Sequence, residues 1–421
     1  MGISSMKVNL LRSKRPCRIL HIVHRMRAGG LQTVVMNIYR HIDHSQVQFD
    51  FVVRTQQQDF YDQEIQKLGG RLFRLPWKAG NPLRMVEFTS ALGKVLQDAG
   101  PFTAVHVHTG LYAGHYLPTV IRHGIKTRIV HAHSTSTELN KWFHQPWHYL
   151  MRKRIAATAT HTFACSQPAG NWLFGTSWLR SPHAKIIRNA IDLSQYEILP
   201  ADKKISRADL ELPVDAILIG HIGRLDPVKN HHFLLDTFAI VHQQIANAHL
   251  VLVGEGQLRN SLEQHATALG IAGAVHFLGA RADVHTILHA LDGFVMPSSY
   301  EGLGLALIEA QAAGIPAIAS DTIPNETDLG LGLVRYESLN TPQSEWANLI
   351  MRNLGTSIPT WPIRKAALQD AGYDIQQVSA QLSNFYLHNS DTKLWPSSQP
   401  QYPTEATMAN QPKEGQSNGL R

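Results

Sequence analysis

The chain has 421 residues, 43% of them hydrophobic and 17% charged, enough for two ordinary α/β domains. Its formal net charge of +7 favours an anionic partner, a nucleotide or a phospholipid surface, while the lack of any RNA- or DNA-binding signature excludes nucleic acid from the expected partners. No apolar run is long enough to read as a transmembrane helix, and residues 1–16 carry Lys7, Arg12, Lys14 and Arg15 without the apolar core and cleavage site of a signal peptide, so a flexible N-terminus on a cytoplasmic protein is expected.

An apolar strand over 18–23 ends in His24-Arg25-Met26-Arg27-Ala28-Gly29-Gly30, and an amphipathic helix follows over 31–41. The Gly29-Gly30 pair opens that helix but lacks the full GxGxxG fingerprint. Strand and helix signals then alternate: strand 49–53, helix 61–68 closed by Gly69-Gly70, strand 71–75, and helix 82–99 with Pro82 in its first turn. Strands at 103–108 and 128–133 each end in His-x-His, and a histidine at a strand's carboxyl end points into the ligand crevice of an open sheet. His133 and His108 are therefore candidates for ligand contact, the alternative being strand ends satisfied by water. Residues 141–157 interleave Trp142, Phe143, Trp147 and Tyr149 with Lys141, Arg152, Lys153 and Arg154. Such a stretch suits either a peripheral contact with anionic lipid headgroups or a core helix with a solvated basic face, and Pro146 argues against one continuous amphipathic helix. Strands 161–164 and 185–187 complete a first sheet, and 193–214, polar and carrying Pro200 and Pro213, reads as a linker. Cys17 and Cys165, both in strand-like contexts, read as buried thiols rather than a disulfide.

The alternation restarts with a strand over 216–222, the loop Gly223-Arg224-Leu225-Asp226-Pro227-Val228-Lys229-Asn230, and a helix over 231–244. Arg224 and Lys229 put two cations into one strand-to-helix loop, where they can neutralise a pyrophosphate or merely face solvent. The strand 250–253 leads to Gly254-Glu255-Gly256 and a helix through 269, and the strand 275–279 leads to Arg281. His231-His232 and the scattered other histidines lack HExxH or paired Cys/His spacing, so neither a metal site nor a cofactor is expected. Asp321 and Glu326 read as a helix cap or turn, and helical stretches lie at 346–354 and 363–387. Beyond His388 the composition is that of a disordered tail.

The densest information lies in 293–319. A buried strand over 293–296 is cut off by Pro297, Ser298 to Gly302 form a polar loop, a helix spans 303–313 and closes on Gly314, and a further buried strand covers 315–319. This is a βαβ unit whose Gly-rich loop sits at the carboxyl edge of a parallel sheet. Unpaired N–H groups at the helix start, beside Gly302, Leu303 and Gly304, can hold a diphosphate, because glycine lets the backbone approach closely. Glu301 and Glu309 bracket that site; anions are unwelcome beside phosphate, so sugar hydroxyls are the better partners, with solvated glutamates on a capped helix as the alternative.

The spacing Glu301–x7–Glu309 resembles the E-x7-E motif of retaining glycosyltransferases of family 4, which have the α/β GT-B fold, two Rossmann-like domains with parallel sheets facing a central cleft. The loop with Arg224 and Lys229 is similar to that family's Gly-Arg-Leu-x-x-x-Lys element, and Arg188-Asn189-Ala190-Ile191-Asp192 resembles its Asn-Gly-Val-Asp junction, with Ala190 replacing glycine. The His-x-His strand ends and Phe163-Ala164-Cys165-Ser166 look like bacterial capsular or exopolysaccharide transferases. The resemblance covers roughly 17–387. It implies an acceptor domain over 17–192, the linker 193–214, a nucleotide-sugar donor domain over 215–371, and a helix over 372–387 crossing back to the first domain, ahead of the 388–421 tail. It further implies Glu301 and His133 at the donor sugar, Glu309 on the ribose, Arg224, Lys229 and the 302–304 backbone on the phosphates, and Arg281 near the base. Gly29 and Gly30 would face the cleft; the family often has Gly-Gly-Ala-Glu where this chain has Gly29-Gly30-Leu31-Gln32. The expected reaction is metal-independent transfer from a nucleotide diphosphate sugar, a UDP-sugar first among them, to a saccharide or lipid-linked acceptor in polysaccharide biosynthesis, on the inner face of the cytoplasmic membrane. A nucleotide-sugar epimerase of the same architecture and a non-catalytic nucleotide-sugar-binding scaffold are the alternatives.

Overall fold

The computed structural model describes residues 15–75, 82–134, 145–197 and 202–388. Residues 1–14 of the expected N-terminus, 141–144 of the basic aromatic stretch, 198–201 of the expected linker and the tail from 389 lie outside the described residues.

The chain opens with β1 (Cys17–Val23), α1 (Gly30–His41), β2 (Val47–Val53), α2 (Asp62–Lys67), β3 (Leu72–Arg74) and α3 (Pro82–Asp98). It continues through β4 (Ala104–Val107), α4 (Ala113–Arg122), β5 (Thr127–Ala132), α5 (Gln145–Thr158), β6 (His161–Ala164), α6 (Gln167–Phe174) and β7 (Ala184–Ile186). These seven strands form one sheet in the order β3-β2-β1-β4-β5-β6-β7, with every pairing parallel. β2 is buried at every position, as a strand covered on both faces must be.

Within 193–214, expected to be a linker, Leu193–Tyr196 form a 3-10 turn and Asp202–Asp209 form the helix α7. The polar sequence hid α7 because its anchor is a cation. The buried guanidinium of Arg207 donates to the carbonyls of Ala290, Val214 and Ala216 and to Asp292. The second half then runs β8 (Ile217–Ile222), α8 (His231–Gln244), β9 (Ala248–Val253), α9 (Arg259–Ala268), β10 (Val275–Phe277), α10 (Val284–Ala290) and β11 (Gly293–Met296). It ends with α11 (Leu305–Ala313), β12 (Ala317–Ser320), β13 (Val334–Glu337), α12 (Gln343–Asn353), α13 (Trp361–Asp370) and α14 (Ile375–His388). Its sheet is parallel throughout, in the order β10-β9-β8-β11-β12-β13.

Both sheets reverse direction once, between β1 and β4 and between β8 and β11. In an open parallel sheet, ligands bind outside the carboxyl ends of the strands at that reversal. The loops that must be read for function therefore follow β1, β4, β8 and β11.

Helix α14 returns to the first half. The chain bridges across at Ile191, whose N–H donates to Tyr373 O at 2.9 Å while Ile375 N–H donates to Ile191 O at 3.0 Å. Ile375, Val378, Leu382 and Tyr386 fall on one helical face and are buried with α1, β1 and β2. Each such burial contributes about 1.5–3 kcal/mol, so this helix couples the two halves.

Helix α5 begins at Gln145, which places Pro146 in the first turn, where its missing N–H costs nothing. His148, Met151 and Ile155 form its buried stripe, and the Trp147 indole N–H donates to His115 at 3.2 Å. Tyr149 and Leu150 remain exposed, with the Lys153 ammonium 4.8 Å from the Tyr149 ring centre. Among the described residues, no helix is long and apolar enough to cross a membrane. Cys165 is buried and Cys17 half-buried, and neither forms a disulfide.

Candidate functional site

In the second half, the loop after β8 is stitched to its neighbours at the carboxyl edge of the sheet. Gly223 N–H donates to Val253 O at 2.9 Å, Leu225 N–H to Glu255 O at 3.1 Å, and Ser299 N–H to Val228 O at 2.8 Å. Glycine is required at Gly254 and Gly256, because a Cβ would lie 2.0 Å from Gly223 O and 2.2 Å from Leu225 O respectively. Three loops thus converge, carrying Arg224, Lys229 and Glu301. The Lys229 ammonium pairs with the Glu301 carboxylate, at side-chain exposures of 16% and 13%. Arg224 turns its exposed head to Asp226 at 2.7 Å, and Arg281 is held by Asp283 through two hydrogen bonds of 2.6 and 2.8 Å.

The helix expected from Leu303 begins instead at Leu305. Gly304 adopts a φ of +83°, the left-handed region, and stops the helix from extending toward Gly302. Leu303 is buried in the core, so its side chain is an anchor and only its backbone is available to a ligand. Apart from Leu307 N–H, which donates to Gly304 O at 2.9 Å, the first-turn N–H groups of α11 have no acceptor within the helix, and they give that end a partial positive charge. Glu309 and Gln311 are both buried in α11. Gln311 is fully used: its amide donates to Leu307 O and Thr327 O and accepts from Leu329 N–H. Among the described residues, Glu309 is held by one bond, from the Tyr196 hydroxyl at 3.4 Å, and burial raises its pKa to about 7.

On the first-half side, His133 and His108 lie just past the ends of β5 and β4. His133 Nε2 is 2.9 Å from His108 Nδ1, whose other nitrogen is 3.0 Å from His21 Nδ1. Burial pushes His133 down to about 3, so at neutral pH it is a neutral imidazole that can orient a hydroxyl but carries no charge. Gly29 caps α1 in an extended conformation, and Gln32 closes its loop by donating to Arg25 O at 2.9 Å. Gly30 opens α1 with open space where a Cβ would stand.

The two faces meet at Gly302. A Cβ there would lie 3.0 Å from His133 O, and the Ser166 hydroxyl donates to Gly302 O at 3.4 Å. Nearby, the Arg188 guanidinium crosses to Glu326 at 3.0 Å, both largely buried. The structure thus gathers Lys229, Glu301, Gly302 and the His133 backbone into one cluster, with Glu309 about one turn into α11. Arg224 and Arg281 lie on flanking loops and are turned to local carboxylates. Glu326, expected to serve only as a cap or turn, is an inter-domain ion-pair partner. Sequence reading missed Tyr196 altogether: it lies in the expected linker, 113 residues from Glu309, and only a buried tyrosine beside Asp192 could have flagged it.

The family model described as "Glycosyltransferase Family 4" matches residues 28–195, and "Glycosyl transferases group 1" matches 202–329. The putative glycosyltransferase EpsF of Bacillus subtilis (strain 168) is 38% identical over 371 residues, covering 88% of this chain and 96% of that protein. A UDP-Gal:alpha-D-GlcNAc-diphosphoundecaprenol alpha-1,3-galactosyltransferase of Escherichia coli is 34% identical over 141 residues, 32% of this chain and 36% of that one. The crystal structure of Anabaena HepE in complex with UDP and glucose superposes with a TM-score of 0.70 at 20% identity, covering 87% of this chain and 98% of that chain, a likeness of fold. The chain belongs to glycosyltransferase family 4 and is a glycosyltransferase with the GT-B fold.

Proposed function

We propose that this enzyme is a retaining transferase that moves a sugar from a nucleotide diphosphate sugar, a UDP-sugar first among them, to a saccharide or lipid-linked acceptor in polysaccharide biosynthesis. The observation that carries this reading is the Lys229–Glu301 pair beside the α11 N-terminus, at the sheet reversal and against His133. A diphosphate entering there takes over Lys229, adds Arg224, and accepts from the backbone N–H groups around Gly302, Leu303 and Gly304. Glu301, released from its lysine, turns to the donor sugar with His133, while Glu309 holds the ribose and the Arg281 loop borders the base. Gly29 and Gly30 leave room for the acceptor across the cleft.

In the transfer, the bond from the anomeric carbon to the β-phosphate oxygen breaks and a bond to the acceptor oxygen forms on the same face. The acceptor's proton passes to the departing phosphate. Charge grows on the diphosphate during this step, so fixed cations and helix N–H groups stabilise the transition state more than the ground state. The same groups supply the positive potential that a metal ion would otherwise provide at the diphosphate. The names of EpsF and of the lipid-diphosphate galactosyltransferase support a polysaccharide setting, and HepE with UDP supports the nucleotide. The exposed Tyr149, Leu150 and Lys153 on α5 suit peripheral contact with the inner face of the cytoplasmic membrane.

The test is incubation with labelled nucleotide sugars, with and without membrane lipid extract. Acceptor-dependent release of nucleotide supports the transferase reading. An altered sugar without acceptor means epimerase, binding alone means scaffold, and either result overturns it. The anomeric configuration of the product, read by NMR, decides retention.

A further inference from the structure

The first sheet carries five histidines on the face covered by α1 and α14: His21, His106, His108, His131 and His133. They follow from strand geometry. β1 and β4 are parallel neighbours, with His21 directly opposite His106, and His108 follows two residues on, on the same face. We propose that His21, His106 and His108 bind one divalent transition-metal ion of the zinc type, on the α14 side of His133 and one hydrogen bond from the donor cleft.

One ring nitrogen from each of the three lies within 4.8 Å of one from each of the others. His21 Nδ1 and His108 Nε2 are already 3.0 Å apart. Two imidazole nitrogens on a tetrahedral ion, at about 2.0–2.1 Å from the metal, are separated by about 3.3 Å. To reach that spacing the His21–His108 pair opens by about 0.3 Å, and the other pairs, within 4.8 Å, draw to it.

Two of the three outward nitrogens are held as a metal site requires. His106 Nδ1 is 2.8 Å from the Tyr386 hydroxyl on α14, and His108 Nδ1 is 2.9 Å from His133 Nε2. Such second partners fix the tautomer and leave the inner nitrogen as ligand. Nε2 of His106, its inner nitrogen, is buried with no partner among the described residues. An unsatisfied buried polar atom is costly, and this one calls for an occupant. The cavity the histidines line measures about 10 Å³, and its remaining walls are Val34, Val35, Ile38, Phe49, Leu382 and Tyr386. That is room for a single water-sized group. A metal-bound water or hydroxide there would be the fourth ligand, and hydroxide would offset part of the ion's charge. An all-imidazole set without carboxylate suits Zn²⁺, Co²⁺, Ni²⁺ or Cu²⁺ and not Mg²⁺ or Ca²⁺, which take oxygen ligands. A second trio, His108, His131 and His133, shares His108 but spends His133, which the donor site needs.

The test is metal analysis of full-length protein expressed without a histidine tag, followed by chelation and titration with Co²⁺. One equivalent of zinc-type metal per chain and the visible absorption of tetrahedral cobalt are expected. His106→Phe, which fills the ring volume, should abolish both while keeping the circular dichroism spectrum; His249→Ala, at the start of β9 in the second sheet, should change neither. No stoichiometric metal and no cobalt band in the wild type would overturn the proposal, as would full binding by folded His106→Phe. Should that variant not fold, X-ray absorption at the zinc edge of the wild type decides. Imidazole scattering from three ligands supports the site, and an oxygen-only shell refutes it.

Discussion

Replacing Glu309 by glutamine separates the cost of its buried carboxyl from its part in nucleotide binding. Its folded pKa of about 7 stands above the 4.5 of an unperturbed glutamate because burial penalises the charged form. Between those values the folded protein holds a proton that the unfolded chain has released. The stability this proton linkage provides is complete below about pH 4.5 and is lost as the pH rises through 7. A difference of about 2.5 units at 1.36 kcal/mol per unit amounts to about 3 kcal/mol at pH 8. Glu309→Gln has no charge at any pH and keeps an acceptor for the Tyr196 hydroxyl. The variant should therefore be about as stable as the wild type at pH 4 and about 3 kcal/mol more stable at pH 8, read from urea unfolding at both values. Parallel curves at the two pH values would show that the carboxyl is not held neutral by burial. The same variant should weaken nucleoside diphosphate and intact donor alike, about 2- to 12-fold, through loss of a hydrogen bond worth about 0.5–1.5 kcal/mol to a carboxyl that burial keeps largely neutral. Calorimetric binding that does not change would remove Glu309 from the ribose.

Lys229→Ala should lower nucleoside diphosphate affinity by about 1.5–3 kcal/mol in titration calorimetry, and an unchanged affinity would take the loop after β8 out of the site. Glu301→Gln should leave that affinity intact, or tighten it by freeing Lys229, while turnover at saturating donor falls; the reverse pattern would contradict the division of roles between the two glutamates. Adding Mg²⁺ or Mn²⁺ to metal-depleted assays should not raise turnover, because Arg224, Lys229 and the α11 N-terminus already supply the positive charge; strong activation would show that the diphosphate needs a metal bridge. Arg188→Ala strands Glu326 in a buried position, so a loss of about 3–5 kcal/mol of stability is expected in thermal or urea unfolding, and a neutral result would mean the inter-domain pair is solvated.

The local grammar of the chain was legible in its residues. Parallel strands buried on both faces must be short continuous apolar runs, so β1, β8, β9 and β11 stood out, and the glycine and proline punctuation between them marked the loops that carry chemistry. Lys229 and Glu301 were legible for the same reason, each lying within a few residues of a readable strand end. Helix boundaries were less so: Gly304 decides where α11 begins through its left-handed backbone, which composition does not record. Strand β13 pairs on one side only, and its half-exposed Val334–Glu337 shows too little periodicity to be seen.

Tertiary structure alone decided which distant residues share an environment. Tyr196 and Glu309 are 113 positions apart, Lys229 and Glu301 72, and Arg188 and Glu326 138. Periodicity reports whether a side chain is buried; it says nothing about the partner against which it is buried. The histidines show this most clearly. Scanned along the chain they have no ligand spacing, because metal motifs are recognised from residues a turn or a short loop apart. Parallel strand order brings β1, β4 and β5 side by side, and registers separated by some 85 residues of chain then place His21 against His106 and His108.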